Sequence, residues 1–231
     1  MIGFDPMYFY FVLPALILSG FASLMTSSTF NKYSRVRSAK GITGAEAAKR
    51  LLTGAGIDDV RIEQTNGFLS DHYDPASKVL RLSPKVYGES SLSAIGVACH
   101  EAGHAIQHAQ GYIWLSMRSA MVPVVNISST FSYIVLIGGF VLSSFNLILA
   151  GIILFSAAVI FSIITLPVEW DASSRAKLLM VQCGAVDRIE AQSAGAVLNA
   201  AFLTYLSAAI SSLLTLIYYL WRAGIIGGRR R

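Results

Sequence analysis

Two histidines and a glutamate stand at a spacing that can build a zinc site. His100, Glu101 and His104 form the pattern H-E-x-x-H. On a helix, residues i and i+4 lie one turn apart on the same face, so both imidazoles can bind one Zn²⁺. Glu101 can then act as general base toward the water that a catalytic zinc activates. The pattern predicts zinc-dependent hydrolysis, with His100 and His104 as metal ligands and Glu101 as the catalytic residue.

The residues around this motif predict that it lies in the middle of a helix. Gly111 is a natural C-terminal stop. The candidate N-caps are Ser90, Ser91 and Ser93. His108 continues the same helix, but it lies about 12 Å along the axis from His100, so one ion cannot readily bind both. We expect His108 to be an exposed histidine or a partner of a ligand.

A catalytic zinc needs a third protein ligand and an open position for water. No carboxylate lies between Glu101 and Glu169. Pro167 predicts that a new helix begins just before Glu169. We predict Glu169 as the third ligand. Asp171 is the fallback ligand, but we expect it rather to hydrogen-bond a ligand and hold it in place. The alternative is that both carboxylates only stabilise a helix N-terminus.

Composition indicates membrane spans beside a small polar domain. Of 231 residues, 54% are hydrophobic and only 13% are charged, whereas soluble domains carry about 25% charged residues. We predict a mainly α membrane protein with about four transmembrane helices and a small α+β zincin-like metallopeptidase domain. The predicted spans are residues 7–26, 122–142, 147–166 and 196–220, and a helix over 167–193 carries Glu169. Spans two and three form a hairpin that returns Glu169 to the side of the motif.

Residues 40–118 form the predicted zincin-like domain. Thr43 and Glu46 form a capping box at the start of a short helix. Asn66-Gly67 predicts a two-residue hairpin between the first two strands. The predicted strands are residues 60–63, 68–73 and 78–82. An edge strand here can pair with an extended peptide. Cys99 and Cys183 are expected to be free thiols.

Charge predicts the membrane orientation, with one conflict. The net charge of +5 lies mostly beside apolar segments, so it indicates topology and not nucleic-acid binding. The basic residues of the stretch 32–40, after span one, predict that the zinc domain is cytoplasmic. Four spans would then place the terminal arginines, 229–231, on the other side, against the positive-inside rule. A re-entrant last segment would remove this conflict.

Three stretches together resemble one bacterial family. They are HEAGHAIQ at residues 100–107, SDHYDP at 70–75 and LPVE at 166–169. The combination is similar to the YugP-type membrane zinc metallopeptidases, also called neutral zinc metallopeptidases, and it covers almost the whole chain. The resemblance implies a multi-pass protein of the bacterial inner or plasma membrane.

A more distant similarity is to the HtpX and CAAX-prenyl protease type. There, H-E-x-x-H is followed by membrane spans and a Glu ligand in an E-x-x-A-D pattern. Glu169 and Ala172 match this pattern, but Ser173 stands where Asp is expected. The ligand's usual support is therefore absent, and Asp171 is the expected substitute.

The leading hypothesis is a zinc endopeptidase with one Zn²⁺, acting on peptide or protein substrates that include membrane proteins. His72, Tyr73 and Arg175 are candidates to stabilise the transition-state oxyanion, although a hydrogen bond within the hairpin explains His72 equally well. The rival is a membrane scaffold with a structural or vestigial zinc site. A structural site is closed by four protein ligands, and the sequence offers no clear fourth. A transporter is disfavoured because the predicted spans lack ionisable residues.

Overall fold

The structure, a computed structural model, describes residues 6–67 and 70–227, and over these residues the chain forms seven helices and three strands. In chain order they are α1 (Pro6–Tyr33), α2 (Gly44–Gly54), β1 (Arg61–Gln64), β2 (His72–Asp74), β3 (Val79–Leu82), α3 (Pro84–Gly88), α4 (Leu92–Ala109), α5 (Ile113–Val141), α6 (Phe145–Gln182) and α7 (Arg188–Arg222). The predicted fold class, a mainly α membrane protein with a small α+β part, is confirmed. The terminal arginines used in the orientation argument lie outside the described residues.

Helix α4 carries the H-E-x-x-H motif, as the flanking residues predict. Ser91 is the N-cap, and its hydroxyl accepts a hydrogen bond from the backbone N–H of Ala94. Gly111 follows the C-cap in a left-handed conformation, with φ of 65°, which costs glycine little. The predicted start and stop of this helix are therefore both confirmed.

Four helices of the described chain are long and apolar enough to cross a membrane, namely α1, α5, α6 and α7. Each begins before its predicted span, and α1, α6 and α7 also end after theirs. The largest difference is at Pro167, where we expected a helix to begin. Helix α6 instead continues through Pro167 without interruption, because a proline can be tolerated inside a membrane-type helix.

The predicted helix over 167–193 is divided between α6 and α7. Gly184, two residues after the end of α6, adopts a left-handed conformation with φ of 68°. The Asp187 carboxylate then accepts hydrogen bonds from the backbone N–H groups of Ile189 and Glu190. The conformation of Gly184 ends α6, and the hydrogen bonds of Asp187 cap α7.

The three-stranded sheet has the order β1-β3-β2, with β1 parallel to β3 and β2 antiparallel to β3. The predicted hairpin at Asn66-Gly67 was therefore wrong, because β1 and β2 each pair with β3. The real hairpin joins β2 to β3 through a turn that Asp74 closes by accepting the N–H of Ala76. Strand β3 occupies the centre of the sheet because its side chains Val79, Leu80 and Leu82 are fully buried. Residues 68 and 69 of the predicted return strand lie outside the described residues.

Two compact units divide the chain. One comprises Ser23–Ser116 and Pro167–Leu203. Its core packs α2, α3 and the sheet around α4, and the largest buried side chains include Leu51, Leu80, Ile95, Ile106 and Met180. The predicted Thr43–Glu46 capping box begins α2 in this unit. Both cysteines are free, as predicted. All residues of the candidate site lie in this unit.

The other unit comprises the described residues up to Ala22, together with Met117–Leu166 and residues 204–227. Large apolar side chains such as Leu16, Ile134 and Ile153 are exposed on its helices, as expected for helices that face lipid. A Cβ on Gly139 of α5 would lie 2.7 Å from the backbone nitrogen of Ile148 of α6, so these two helices pack at backbone distance. The predicted hairpin of spans two and three is formed here.

Candidate metal centre

His100, His104 and Glu169 come together from α4 and α6. Their ligand atoms all lie within 4.8 Å of one another, and among the described residues they are the one such group of three. The Oε2 atom of Glu169 lies 3.1 Å from Nε2 of His100 and 3.6 Å from Nε2 of His104. Tetrahedral zinc with bonds of about 2.0–2.1 Å holds neighbouring donors roughly 3.3 Å apart. The two histidine–glutamate distances therefore suit a zinc ion.

A close approach of two helix backbones brings the glutamate to the histidines. A Cβ on Gly103 would lie only 2.6 Å from the backbone oxygen of Ala172. Gly103 is an unspecified position of the H-E-x-x-H motif, and Ala172 lies one turn after Glu169. Because neither residue carries more than a methyl group, α4 and α6 touch here, and Glu169 is left only 1% exposed.

Burial and charge around His104 favour a cation at this point. Burial by itself lowers the pKa of the His104 imidazole, but the hydrogen bond and the negative charge of Glu169 raise that pKa above its ordinary value. A buried carboxylate is costly unless a positive charge or a metal lies beside it. The donor set and its charge therefore fit a divalent cation with an affinity for imidazole and carboxylate, such as Zn²⁺.

Gln107 supports His104 from inside the protein. Its side chain is fully buried. Its Oε1 lies 3.0 Å from Nδ1 of His104, and its Nε2 lies 2.8 Å from both the backbone oxygen of Val168 and Oδ2 of Asp171. Asp171 also accepts a hydrogen bond from Arg175. Asp171 thus lies beside Gln107 and outside the three-donor group.

Ser173 supports the other histidine. Its Oγ lies 3.1 Å from Nδ1 of His100, on the side of the ring opposite the Glu169 carboxylate. The sequence led us to expect that Asp171 would substitute for the missing aspartate of the E-x-x-A-D pattern. In the structure Ser173 itself reaches His100, while Asp171 contacts Arg175 and Gln107, the partner of His104. Support of a ligand by Asp171 therefore stays a prediction, with Gln107 between the two.

The remaining candidates lie around these residues. Glu101 is half-buried on α4, and its charge contributes to the raised pKa of His104. Arg175 donates to Asp171 and to Gln110, the C-cap of α4. His72 is exposed, and its Nδ1 lies 2.7 Å from the backbone oxygen of Ser70. A local hydrogen bond of this kind was the alternative to a role of His72 at the oxyanion.

Tyr73 and His108 form a pair beside the motif helix. The Tyr73 hydroxyl lies 2.9 Å from Nδ1 of His108. A tyrosine hydroxyl is protonated at neutral pH and can donate, and burial raises the pKa of the Tyr73 hydroxyl further. His108 is half-buried and is absent from the three-donor group.

Sequence reasoning missed two residues of this site, Gln107 and Ser173. Gln107 stands three residues after His104 and seven after His100, so it shares their helix face. That periodicity could have identified it. The Ser173 contact depends on how α6 lies against α4, and the local sequence gives no comparable signal.

The chain is thus a helical protein with four candidate membrane spans, in which two histidines and a glutamate form a group that could hold a metal ion. Over residues 8–224 the chain matches the family described as "Putative neutral zinc metallopeptidase", and it belongs to that family. It is 47% identical over 213 residues to "Putative membrane protease YugP" of Bacillus subtilis (strain 168), which covers 92% of this chain and 95% of that protein. No solved structure matches the chain.

Proposed function

We propose that this protein is a zinc-dependent endopeptidase of the bacterial cell membrane, with His100, His104 and Glu169 as the three ligands of one zinc ion. The observation that carries this proposal is the spacing of their donor atoms, 3.1 and 3.6 Å from a single carboxylate oxygen. Three protein ligands are typical of catalytic zinc sites, whereas structural sites have four.

Bound zinc would polarise the scissile carbonyl and lower the pKa of a water molecule at its open position to about 7. Glu101 takes the proton from the attacking water and delivers it to the leaving amine, because a carboxylate in this position can serve first as base and then as acid. Tyr73, Arg175 and His72 remain the candidates to donate a hydrogen bond to the transition-state oxyanion.

The substrates we propose are peptides and proteins in or near the membrane. Glu169 follows the end of an apolar span by three residues in the predicted boundaries, which favours cleavage close to the bilayer. We further propose that the zinc domain is cytoplasmic, because basic residues of the stretch 32–40 follow span one. Green fluorescent protein fused after Ser116 should fluoresce, and alkaline phosphatase fused there should be inactive; the reverse result would refute this orientation.

The decisive experiment compares Glu101→Gln with the wild type in detergent. The variant should retain about one zinc per chain and should lose peptide hydrolysis by several orders of magnitude, because the ligands remain and the base is removed. Glu89→Gln is the matched control, since it makes the same change at an exposed residue outside the site. Full hydrolysis by Glu101→Gln would refute the mechanism, and absence of zinc from the wild type would refute the metal site.

The rival function, a membrane scaffold with a structural zinc site, makes a different prediction. Removing zinc from a scaffold unfolds or dissociates it, whereas Glu101→Gln has no effect on its role. Within the described residues, the cluster contains three donors where a closed site requires four. We therefore favour the peptidase.

A further inference from the structure

We propose that Gln107 is a positioning residue that fixes the proton of His104 on Nδ1 and thereby commits Nε2 of His104 to the metal. This inference rests on the proposed function, since it assigns the support of one proposed ligand. It also gives the Asp171–Arg175 pair a role as the anchor of Gln107.

The hydrogen-bonding partners determine which end of the Gln107 amide is oxygen and which is nitrogen. One end lies 2.8 Å from both the backbone oxygen of Val168 and Oδ2 of Asp171. A peptide carbonyl can only accept a hydrogen bond. A carboxylate that is paired with Arg175 can likewise only accept one. The end that contacts both must therefore be the NH₂ group, which has two N–H donors, one for each acceptor.

The orientation of the amide then fixes the state of the histidine. With its NH₂ group occupied, Gln107 presents its oxygen to Nδ1 of His104 at 3.0 Å. An amide oxygen can only accept, so Nδ1 must carry the hydrogen, and in neutral His104 the lone pair is left on Nε2. That atom lies 3.6 Å from the Glu169 carboxylate. In this neutral state, which metal binding requires, two acceptors would face each other, and a cation bound between them would relieve the repulsion.

The same amide also joins the two helices that supply the ligands. Gln107 belongs to α4, whereas Val168 and Asp171 flank Glu169 on α6. Because Gln107 has no exposed surface, loss of either hydrogen bond would leave buried polar groups without a partner. The Gln107 side chain thus fixes the orientation of the His104 ring and the position of the α6 backbone at Glu169 relative to α4. Hydrogen-bonding partners of metal ligands typically contribute a factor of about 10–100 to metal affinity.

The experiment measures zinc affinity by chelator competition in detergent-purified full-length protein, together with the visible spectrum of the cobalt-substituted form. Gln107→Met keeps the length of the side chain and removes its hydrogen bonds. We expect it to bind zinc about 10–100-fold more weakly and to change the cobalt spectrum. Gln182→Met, the same change at an exposed position of α6, is the matched control and should leave both unchanged.

A pair of substitutions separates positioning from simple core filling. Gln107→Glu keeps an acceptor for His104 but places a second carboxylate against Asp171. Adding Asp171→Asn restores a hydrogen bond between the two side chains with its direction reversed. We expect Gln107→Glu/Asp171→Asn to bind zinc at least tenfold more tightly than Gln107→Glu, whereas a role limited to filling space predicts equal affinities.

The outcomes distinguish this inference from the proposed function. A wild type without zinc would remove the proposed metal site itself. A wild type that binds zinc, with Gln107→Met within about threefold of it and an unchanged cobalt spectrum, would overturn only the role of Gln107. If Gln107→Met does not fold, equal zinc affinities of Gln107→Glu and the double variant would overturn it.

Discussion

Replacement of Gly103 by alanine tests whether the backbone contact between α4 and α6 builds the metal centre. The added Cβ would lie 2.6 Å from the backbone oxygen of Ala172, whereas an ordinary contact begins near 3.4 Å. The helices must therefore separate by roughly 0.8 Å, because the obstacle is backbone and cannot rotate away. We expect this shift to move Glu169 relative to His100 and His104.

The expected loss follows from the tolerance of the site. Zinc–ligand distances vary by about 0.2 Å in authentic sites, so a displacement of roughly 0.8 Å exceeds what the metal can absorb. A misplacement near 1 Å can reduce catalysis by about 10²-fold, and overpacking a core costs about 1–3 kcal/mol of stability. Gly103→Ala should therefore lower zinc affinity and peptide hydrolysis more than its change in stability explains.

The assay pairs Gly103→Ala with two control variants. A Cβ on Gly96, in the same helix, would lie 3.1 Å from the backbone oxygen of Ala194 of α7. Gly96→Ala thus strains α4 against a helix that carries no proposed ligand. A Cβ on Gly138 would meet nothing within 4 Å. Both controls should retain zinc, measured by elemental analysis and chelator competition. Wild-type zinc affinity and activity in Gly103→Ala would refute the claim that this contact sets the ligand geometry.

Four further predictions concern single side chains. Glu169→Gln should reduce bound zinc far below one per chain by elemental analysis, and unchanged zinc would move the third ligand elsewhere. Ser173→Ala should weaken zinc binding about tenfold, because His100 loses its partner at Nδ1; equal affinity in chelator competition would contradict this. Tyr73→Phe should leave zinc unchanged and lower kcat more than it raises KM, roughly tenfold or more, and wild-type kinetics would exclude this tyrosine as the oxyanion donor. Thr43→Ala removes a capping box and should cost about 1 kcal/mol of stability, seen as a lower Tm, without a change in zinc content.

Local sequence patterns were sufficient for the elements whose stability is local. The spacing of His100 and His104 on one helix follows from the helical repeat, and the caps of α4 follow from Ser91 and Gly111. The apolar helices follow from composition, because a span must be long and uncharged to cross a bilayer. The placement of Glu169 near the histidines was also predicted, from the return of the chain by two successive spans.

Local sequence patterns did not predict which strands pair with each other or where the helix around Pro167 begins. Asn66-Gly67 is a strong local turn signal, yet β1 pairs with β3, because the burial of Val79, Leu80 and Leu82 decides which strand is central. Pro167 is equally a local signal for a helix start, and the helix continues through it. In the sheet, tertiary burial outweighs the local turn preference, whereas at Pro167 a membrane-type helix tolerates the proline.

The sequence by itself determined the chemistry available to this protein: two imidazoles one helical turn apart, a neighbouring carboxylate and the membrane spans around them. Only the tertiary structure decided how α6 supports those imidazoles. Ser173 reaches His100, and Gln107 reaches Val168 and Asp171, because Gly103 lets α4 lie against Ala172 at backbone distance. Such contacts depend on positions set to within an ångström between segments some seventy residues apart, and no local pattern encodes a distance of that kind.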